Sequence, residues 1–397
     1  MEPSSSKVAE ANSAIAQLAL MDASNVDSQA DIISKCQTVI SALQNPAVVV
    51  ADLLSSQTTL PCLTTLSNMG AFEKLSSSEG SLTARQLAQN CAADEELIVR
   101  LMRIATVWGC VSETGPRCYA ANGVTNKLAA PSYVSGLRFV HFMGRSHDCL
   151  PEYFKEIEYR NPSSNNKSPF QFQFETDLGL FEWMAESNPE MMRDFSLFMT
   201  TNRSTGQPWT THFDVKHRIL GGVKVNVEAP LFVDIGGGIG HDLRLVKEEL
   251  GHLTKGQLVV EDTPSIINSV PDSVYDANFT YLAHDFFSPQ PTKGARIYNL
   301  KNVIHDWPDD KALIILRHTA ACLNPEYSKI WIIDRILPET DANKLCAWQD
   351  ICMLATLGAL ERTQEQWDYL LAQAGLRITD TIPLPDGFYL IEAVLDA

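Results

Sequence analysis

The spacing of apolar residues divides the chain into two parts. In the first part apolar side chains recur every three or four positions, as in ADIISKCQTVISALQ and in residues 60–75, which predicts helices. From about residue 229 onward, short apolar runs alternate with helical patterns; the runs are LFVDI, QLVVED, FTYLAHDF, ARIYNLKNVI and KIWIIDRIL. This alternation predicts an α/β fold with a doubly wound, Rossmann-like sheet and helices on both faces.

The same patterns predict two domains. We place a helical domain at residues 1–135 and a second domain at residues 136–397, with its sheet core at about 229–397. Residues 1–22 are polar and are expected to be frayed or loosely helical. Residues 159–168 predict a loop, and the aromatic and methionine-rich segment that follows predicts helices packed over the second domain.

One stretch of the first domain resembles a winged helix-turn-helix. SLTARQLAQNCAADEELIVRLMRIATVWGCV predicts two short amphipathic helices, and SETGPRCYAANGVTNKLA predicts a β-hairpin with a Gly-Pro turn. DNA binding is one reading of this pattern. However, DEELIVRLMR is balanced in charge and the chain carries a net charge of −17, so a dimerisation and substrate-capping module is the better interpretation.

The composition and net charge exclude several classes of binding partner. The 397 residues are 45% apolar, enough for a full-sized core, and we expect no apolar run long enough for a membrane span and no secretory signal. The nine cysteines are scattered without a CxxC pair, which favours reduced thiols over structural zinc or any other metal site. The acidic charge disfavours nucleic acid and anionic membranes. We therefore expect a cytoplasmic protein that binds small molecules.

A glycine-rich turn is the first candidate site. In VDIGGGIGHD a strand leads into Gly236, Gly237, Gly238 and Gly240 and then into a helix. Glycines here let the backbone approach a ligand and aim N–H groups at it. Dinucleotide binding and a purely structural turn remain alternatives for the motif alone.

Acidic residues at successive strand ends favour a nucleoside without a pyrophosphate. Asp262 closes the next strand and can accept hydrogen bonds from ribose hydroxyls, although an N-cap role is the simpler alternative. Asp285 ends the following strand, where it can bind an adenine amine while Phe286 covers the ring. Asp234, just before the glycines, would repel phosphate but suit a cationic amino-acid group.

His305 in NLKNVIHDWPDD is the candidate for chemistry. It follows the next strand, so it should emerge at the same sheet edge as the nucleoside site. An imidazole can take a proton from a phenol or enol near neutral pH. The structural alternative is that His305 and Asp306 cap the helix beginning at Pro308. Asp334 and Glu361 lie where each could orient the imidazole.

These motifs carry a family resemblance. VDIGGGIGHD, AHDFFSPQP, LKNVIHDWPDDKA and ERTQEQWDYLLAQAGL occur in the order and spacing of plant-type class I S-adenosylmethionine-dependent O-methyltransferases of fungal secondary metabolism, and the resemblance runs from about residue 60 to the C-terminus. It implies that Gly236 and Gly238 border the methionine part of S-adenosylmethionine and that Lys301 lies near it. It also implies that His305 is the general base, flanked by Asp334 and Glu361, and that the enzyme is a homodimer formed through its N-terminal domain.

The acceptor would be an aromatic or polyketide-derived small molecule in a pocket walled by methionine and aromatic residues. The candidates for this pocket are Phe139, His141, Met143, Phe174, Trp183, Met184, Met199, Met353 and Leu357. Relatives of this family that bind S-adenosylmethionine as pericyclases or dehydratases, without methyl transfer, are the alternative, and His141 and His147 could then contact a substrate carbonyl. A catalytically inactive regulator is disfavoured, because the acid-base residues are all present.

Overall fold

The chain divides into two compact units, Met1–Ala130 and Pro131–Ala397. The computed structural model describes residues 5–162, 164–201, 208–223, 229–251 and 256–396. The domain boundary predicted at residue 135 falls inside the first helix of the second unit, Pro131–Asp148.

The first unit is mainly helical, as the sequence predicts. Its helices are α1 (Ser5–Leu18), α2 (Val26–Leu43), α3 (Pro46–Ser56), α4 (Thr59–Asn68), α5 (Ala71–Ser76), α6 (Ala84–Asn90), α7 (Glu95–Val107) and α8 (Gly123–Leu128). The strands β1 (Leu82–Thr83), β2 (Ser112–Gly115) and β3 (Cys118–Ala120) form an antiparallel sheet in the order β1-β3-β2. The first segment is more regular than expected: α1 packs against α2 and buries Ala11 and Ala14.

The predicted helix pair and hairpin of this unit are both present. Thr83 caps α6 by accepting a hydrogen bond from the Gln86 amide at 3.2 Å, and Asp94 caps α7 by accepting one from Leu97 at 3.0 Å. These caps explain why one apolar stretch splits into two helices. The hairpin turns between β2 and β3 with Arg117 in the left-handed region, at φ +56°. The winged-helix arrangement of these elements stays a prediction.

The segment Pro46–Asn68 bears on the expectation that no stretch of the chain is long and apolar enough for a membrane span. It is 23 residues long and, by length and composition only, could cross a membrane, which for a single such helix is weak evidence. Asp52 is the one charged residue of this stretch, and its remaining polar residues are uncharged serine, threonine, glutamine and asparagine. None of the residues of α3 is buried within the chain.

The second unit contains the sheet. Its helices are α9 (Pro131–Asp148), α10 (Leu150–Glu156), α11 (Pro169–Phe174), α12 (Leu180–Ser187), α13 (Pro189–Thr201), α14 (Val215–Leu220), α15 (His241–Leu250), α16 (Pro264–Ile267), α17 (Asp309–Ala320), α18 (Lys344–Leu357) and α19 (Gln364–Gln373). Its strands are β4 (Phe232–Ile235), β5 (Leu258–Asp262), β6 (Phe279–Ala283), β7 (Ile297–Lys301), β8 (Lys329–Leu337), β9 (Arg362–Thr363), β10 (Leu376–Pro383) and β11 (Phe388–Leu395). The five predicted strands are confirmed as β4 to β8.

The sheet has the order β10-β11-β8-β7-β4-β5-β6, with β9 paired to β8. Strands β4 to β8 are parallel, whereas β10 and β11 are antiparallel to their neighbours. The prediction therefore missed the last two strands, which follow each other through the turn Pro385–Gly387 and close one side of the sheet. Because β4 has β5 on one side and β7 on the other, the strand order reverses there, and in open α/β sheets the ligand crevice lies beyond the carboxyl ends of the strands at such a point.

Helices cover both faces of the sheet, as predicted. Val233 and Ile235 of β4 belong to the core cluster that includes Ile315 of α17. Phe232 belongs to the other cluster, with Val246 of α15. The alternation along β4 follows from the two-residue period of a strand, and it buries the strand on both faces.

Candidate functional site

The glycine-rich turn lies at the carboxyl end of β4. Gly236, Gly238 and Gly240 have φ values of +68°, +61° and +82°, which other residues adopt only with strain. The amides of Gly236 and Gly237 donate to the Glu261 carbonyl of β5 at 2.8 and 3.1 Å. A Cβ on Gly237 would lie 2.6 Å from the Asp234 carboxylate. Both conformation and space therefore require glycine in this turn.

The two acidic strand ends lie next to this turn. Asp262 Oδ2 accepts a hydrogen bond from the Gly238 amide at 2.8 Å, and its Oδ1 accepts one from Thr263 at 2.7 Å. The residue capping α16 is Thr263, so the simpler N-cap reading of Asp262 does not apply. Asp285 follows β6 and is exposed. The neighbouring Phe286 lies near the glycine turn, since a Cβ on Gly236 would be 3.8 Å from its ring.

Two buried polar contacts support the floor of the crevice. Asn299 of β7 donates to Asp234 Oδ1 at 2.8 Å, and Asp234 is 2% exposed. The Lys301 ammonium lies 3.3 Å from Asp242 Oδ1, which also accepts the Trp209 indole N–H at 2.9 Å. Sequence reasoning missed Asn299, Asp242 and Trp209. For Asp242 a signal was present, because it stands in the GHD of the glycine motif.

His305 lies in a short 3₁₀ helix, Ile304–Asp306, directly after β7. Its Nδ1 lies 2.9 Å from Glu361 Oε1 and its Nε2 lies 3.4 Å from Asp306 Oδ1. Asp334 accepts the backbone N–H of His305 at 3.3 Å, so it holds the main chain of this turn rather than the imidazole. Pro308 is the residue that caps α17, so neither His305 nor Asp306 caps that helix.

Burial and charge shift the proton affinities of this group. Burial alone would lower the pKa of the His305 imidazole, but the three carboxylates around it and the hydrogen bond to Glu361 outweigh burial and raise that pKa to about 10. Burial raises the pKa of Asp334 to about 7 and that of Asp306 to about 6, against the attraction of His305. At neutral pH the imidazole is therefore an imidazolium held between carboxylates.

Val303 connects the glycine turn to the turn that carries His305, residues 304–307, which we call the histidine turn. A Cβ on Gly236 would lie 2.9 Å from Val303 Cγ2, and Val303 stands two residues before His305. The structure thus brings the two parts of the predicted site together at one edge of the sheet.

Most of the candidate pocket residues form one apolar cluster. Met143, Met184, Met353 and Leu357 are buried in it, and Phe139, Phe174 and Trp183 pack against it. Phe142 and Phe170 also belong to it and were missed. Phe142 stacks on Trp183 with 5.6 Å between ring centroids.

Two of the candidates lie elsewhere. His141 is exposed, because it stands two positions from both Phe139 and Met143 on α9 and so faces away from their side of the helix. Met199 is half-buried near the end of α13, outside the cluster.

The residues of the crevice fit S-adenosylmethionine. The glycines leave the turn without side chains, Asp262 is a carboxylate beside it, and the Phe286 ring lies near Gly236. Hydroxyl groups of a ribose are hydrogen-bond donors, and a carboxylate such as that of Asp262 is an acceptor suited to them.

Comparisons with known proteins agree with this geometry. Residues 169–377 match the model of the O-methyltransferase domain. Methyltransferase cfoC of Aspergillus candidus is 32% identical over 371 residues, 92% of this chain and 90% of the relative. Demethylsterigmatocystin 6-O-methyltransferase of Aspergillus flavus is 31% identical over 312 residues, 78% of each chain. Among solved structures, one described as a pericyclic reaction enzyme matches with a TM-score of 0.86 at 28% identity, covering 98% of this chain and 99% of its own.

Proposed function

The chain belongs to the family of S-adenosylmethionine-dependent O-methyltransferases, and on that premise we propose that it methylates a hydroxyl group of an aromatic or polyketide-derived small molecule with His305 as general base. The observation that carries the assignment of the base is the contact between His305 and Glu361, at 2.9 Å, in a turn whose Val303 touches the glycine turn. Glu361 accepts from Nδ1, which directs Nε2 to the acceptor.

The cofactor supplies a methyl group on a sulfonium, and the chain positions it. We assign Gly236, Gly238 and Lys301 to its amino-acid part, together with Asp234. Asp262 would bind the ribose. The adenine would lie against Phe286 and donate to Asp285. These assignments are supported by the adjacency of the residues at the ends of β4, β5 and β6.

The acceptor hydroxyl would take the place of Asp306 at Nε2. Asp306 lies 3.4 Å from Nε2, a distance at which a hydroxyl oxygen could compete for the same nitrogen. His305 accepts the hydroxyl proton only in its neutral form, so the raised pKa of His305 makes the reaction faster at alkaline pH. The hydrogen bond that the Asp334 carboxylate accepts from the His305 backbone N–H keeps the turn in place during proton transfer.

The apolar cluster around Met143, Met184 and Met353 would hold the flat part of the acceptor, with Trp183 and Phe174 as an aromatic wall. The fungal relative named above acts, by its name, on demethylsterigmatocystin, which supports an acceptor of that chemical class.

The test of the base is His305→Ala. Methyl transfer should fall by about 10²-fold or more, while S-adenosylmethionine affinity by calorimetry stays close to that of the unmodified enzyme. Met69→Ala, in the turn that follows α4 in the first unit, serves as the control for expression and folding. Unchanged turnover in His305→Ala would rule out the assignment.

A pericyclase or dehydratase is the second candidate, favoured by the structural match to a pericyclic reaction enzyme and by the imidazolium at neutral pH, which donates rather than accepts a proton. Quantifying S-adenosylhomocysteine against product separates the two. One molecule of each per turnover supports methyl transfer, and product without S-adenosylhomocysteine supports the alternative.

We also propose a cytoplasmic homodimer formed through the N-terminal unit. Large apolar side chains of α2 and α3 are exposed within one chain, among them Ile33 and Ile40, and Leu53 and Leu54 are each 68% exposed. Exposed apolar surface of this extent is typical of an interface. The scattered free cysteines support a reducing compartment.

Leu53→Glu/Leu54→Glu should convert the dimer to a monomer, measured by light scattering after size exclusion. Val107→Glu is the matched control, since Val107 is 81% exposed and lies outside α3. A mass that does not change with the double substitution would contradict this interface.

A further inference from the structure

Arg362 is a buried cation directly after Glu361 in the chain. Only 1% of the residue is exposed. It begins β9, which pairs in parallel with Ile336 and Leu337 at the end of β8, so the sheet fixes where its main chain lies. A buried guanidinium is costly unless acceptors surround it, so its partners identify what it is there to hold.

The guanidinium binds both ends of the histidine turn. Its Nη1 donates to the Ile304 carbonyl at 3.2 Å, and its Nη2 donates to the Trp307 carbonyl at 2.9 Å. Nε and Nη2 donate to Asp309 Oδ1 at 3.0 and 2.7 Å. The Trp367 ring packs against the guanidinium, 5.3 Å from its carbon to the ring centroid. The planar fork of arginine is suited to several acceptors at fixed angles, which a lysine ammonium is not.

The turn needs such a support because its own hydrogen bonds are few. The amides of Asp306 and Trp307 donate back to Val303 and Ile304 at 3.2 Å each, and the next residue, Pro308, has no N–H to donate. Arg362 binds the main-chain carbonyls of Ile304 and Trp307, the residues directly before and after His305 and Asp306.

We propose that Arg362 is a positioning residue for His305: Glu361 fixes the imidazole through Nδ1, and Arg362 fixes the backbone that carries it. This inference rests on the proposed role of His305 as general base. Glu361, directly before β9, thus holds the side chain of His305, and Arg362, the first residue of β9, holds its main chain. Loss of the hydrogen bonds from Arg362 to the main chain would move Nε2 of His305 relative to the acceptor hydroxyl. A misplacement of about 1 Å can lower the rate roughly 10²-fold.

Arg362 also acts on the charges of the site. Its positive charge lowers the pKa of Asp334, against the larger effect of burial, which raises it. Removing the guanidinium should therefore change the pH dependence of the reaction as well as its rate, which a residue that only stabilises the fold would not do.

The first experiment compares Arg362→Met, Arg362→Lys and the matched control Arg317→Met. Arg317 of α17 also donates to a main-chain carbonyl, that of Gln373 at the end of α19. Arg317 is exposed, however, and lies in the last turn of α17, away from His305. We expect kcat of Arg362→Met to fall about 10²-fold with S-adenosylmethionine affinity retained and the pH profile displaced. Arg362→Lys should recover part of the rate, and Arg317→Met should keep it.

The second experiment places Arg362→Met in a His305→Ala background. If Arg362 acts through His305, the residual rate of the double variant equals that of His305→Ala. A further fall, an unchanged kcat in Arg362→Met, or a loss of rate that merely follows the loss of binding-competent protein would overturn the role of Arg362. Full turnover in His305→Ala would instead overturn the proposed function. If Arg362→Met does not fold, Arg362→Lys replaces it, both alone and in the His305→Ala background.

Discussion

Replacing Glu361 by Gln tests the electrostatics of the site most directly. The side chain keeps its shape and can still accept from Nδ1, but it loses the charge that is the largest contribution holding the proton on His305. His305 is 6% exposed, so water screens this interaction little. The substitution therefore separates the charge of the carboxylate from its geometry.

The magnitude follows from the pKa of His305. A rise from the ordinary 6.5 to about 10 corresponds to on the order of 5 kcal/mol in favour of the imidazolium. Because the folded-state pKa lies above the unfolded one, this stabilisation is complete below about pH 6.5 and is lost as the pH rises through about 10. At pH 7 the imidazolium therefore predominates over the neutral imidazole.

The assay is the pH dependence of kcat/KM, which reports the pKa of groups in the free enzyme. The rate of the unmodified enzyme should rise towards pH 10. In Glu361→Gln the midpoint should fall by about 1–3 pH units, since an opposite charge at this distance contributes that much. The maximal rate should fall about 10²-fold, because the charge no longer stabilises the imidazolium formed on proton transfer.

Glu392→Gln is the control for this experiment. Glu392 is a buried carboxylate of the same sheet that accepts from Lys329 and Trp331, away from His305. Its replacement should leave the midpoint unchanged. A midpoint in Glu361→Gln equal to that of the unmodified enzyme would refute the reasoning, since it would mean that Glu361 does not set the proton affinity of His305.

Two further predictions follow from the same region. Gly236→Ala should weaken S-adenosylmethionine binding by about tenfold or more in calorimetry, because a residue at φ +68° is strained by roughly 1–2 kcal/mol and the new Cβ meets Val303 at 2.9 Å; Gly109→Ala, at φ +66° with no atom within 4 Å, should lower thermal stability without changing affinity. Asp334→Asn should raise the melting temperature at pH 8 but hardly at pH 4, because the pKa of Asp334 is raised from its ordinary 3.8 to about 7 in the folded protein, so the cost of burying it builds up as the pH rises from 3.8 to about 7 and is fully present at pH 8; equal effects at both pH values would contradict it.

The sequence predicted the parts of the site that depend on local order. Strands β4 to β8 were identified from short apolar runs, and the glycine turn from its position between a strand and a helix. Because the carboxyl ends of parallel strands share one edge, the sequence alone assigns Asp262 and His305 to that edge. The antiparallel strands β10 and β11 were not identified, since antiparallel pairing at the side of a sheet leaves no mark that distinguishes it from other alternating segments.

The sequence by itself thus determined the order of the elements and the edge of the sheet at which the candidate chemistry lies, because the periods of helices and strands are local properties. Only the tertiary structure decided which side chains meet. The contact of His305 with Glu361 joins residues 56 positions apart, and Arg362 reaches Ile304 across 58. Both contacts depend on the pairing of β9 with the end of β8, and register between distant strands is set by the packing of the whole sheet rather than by any local pattern.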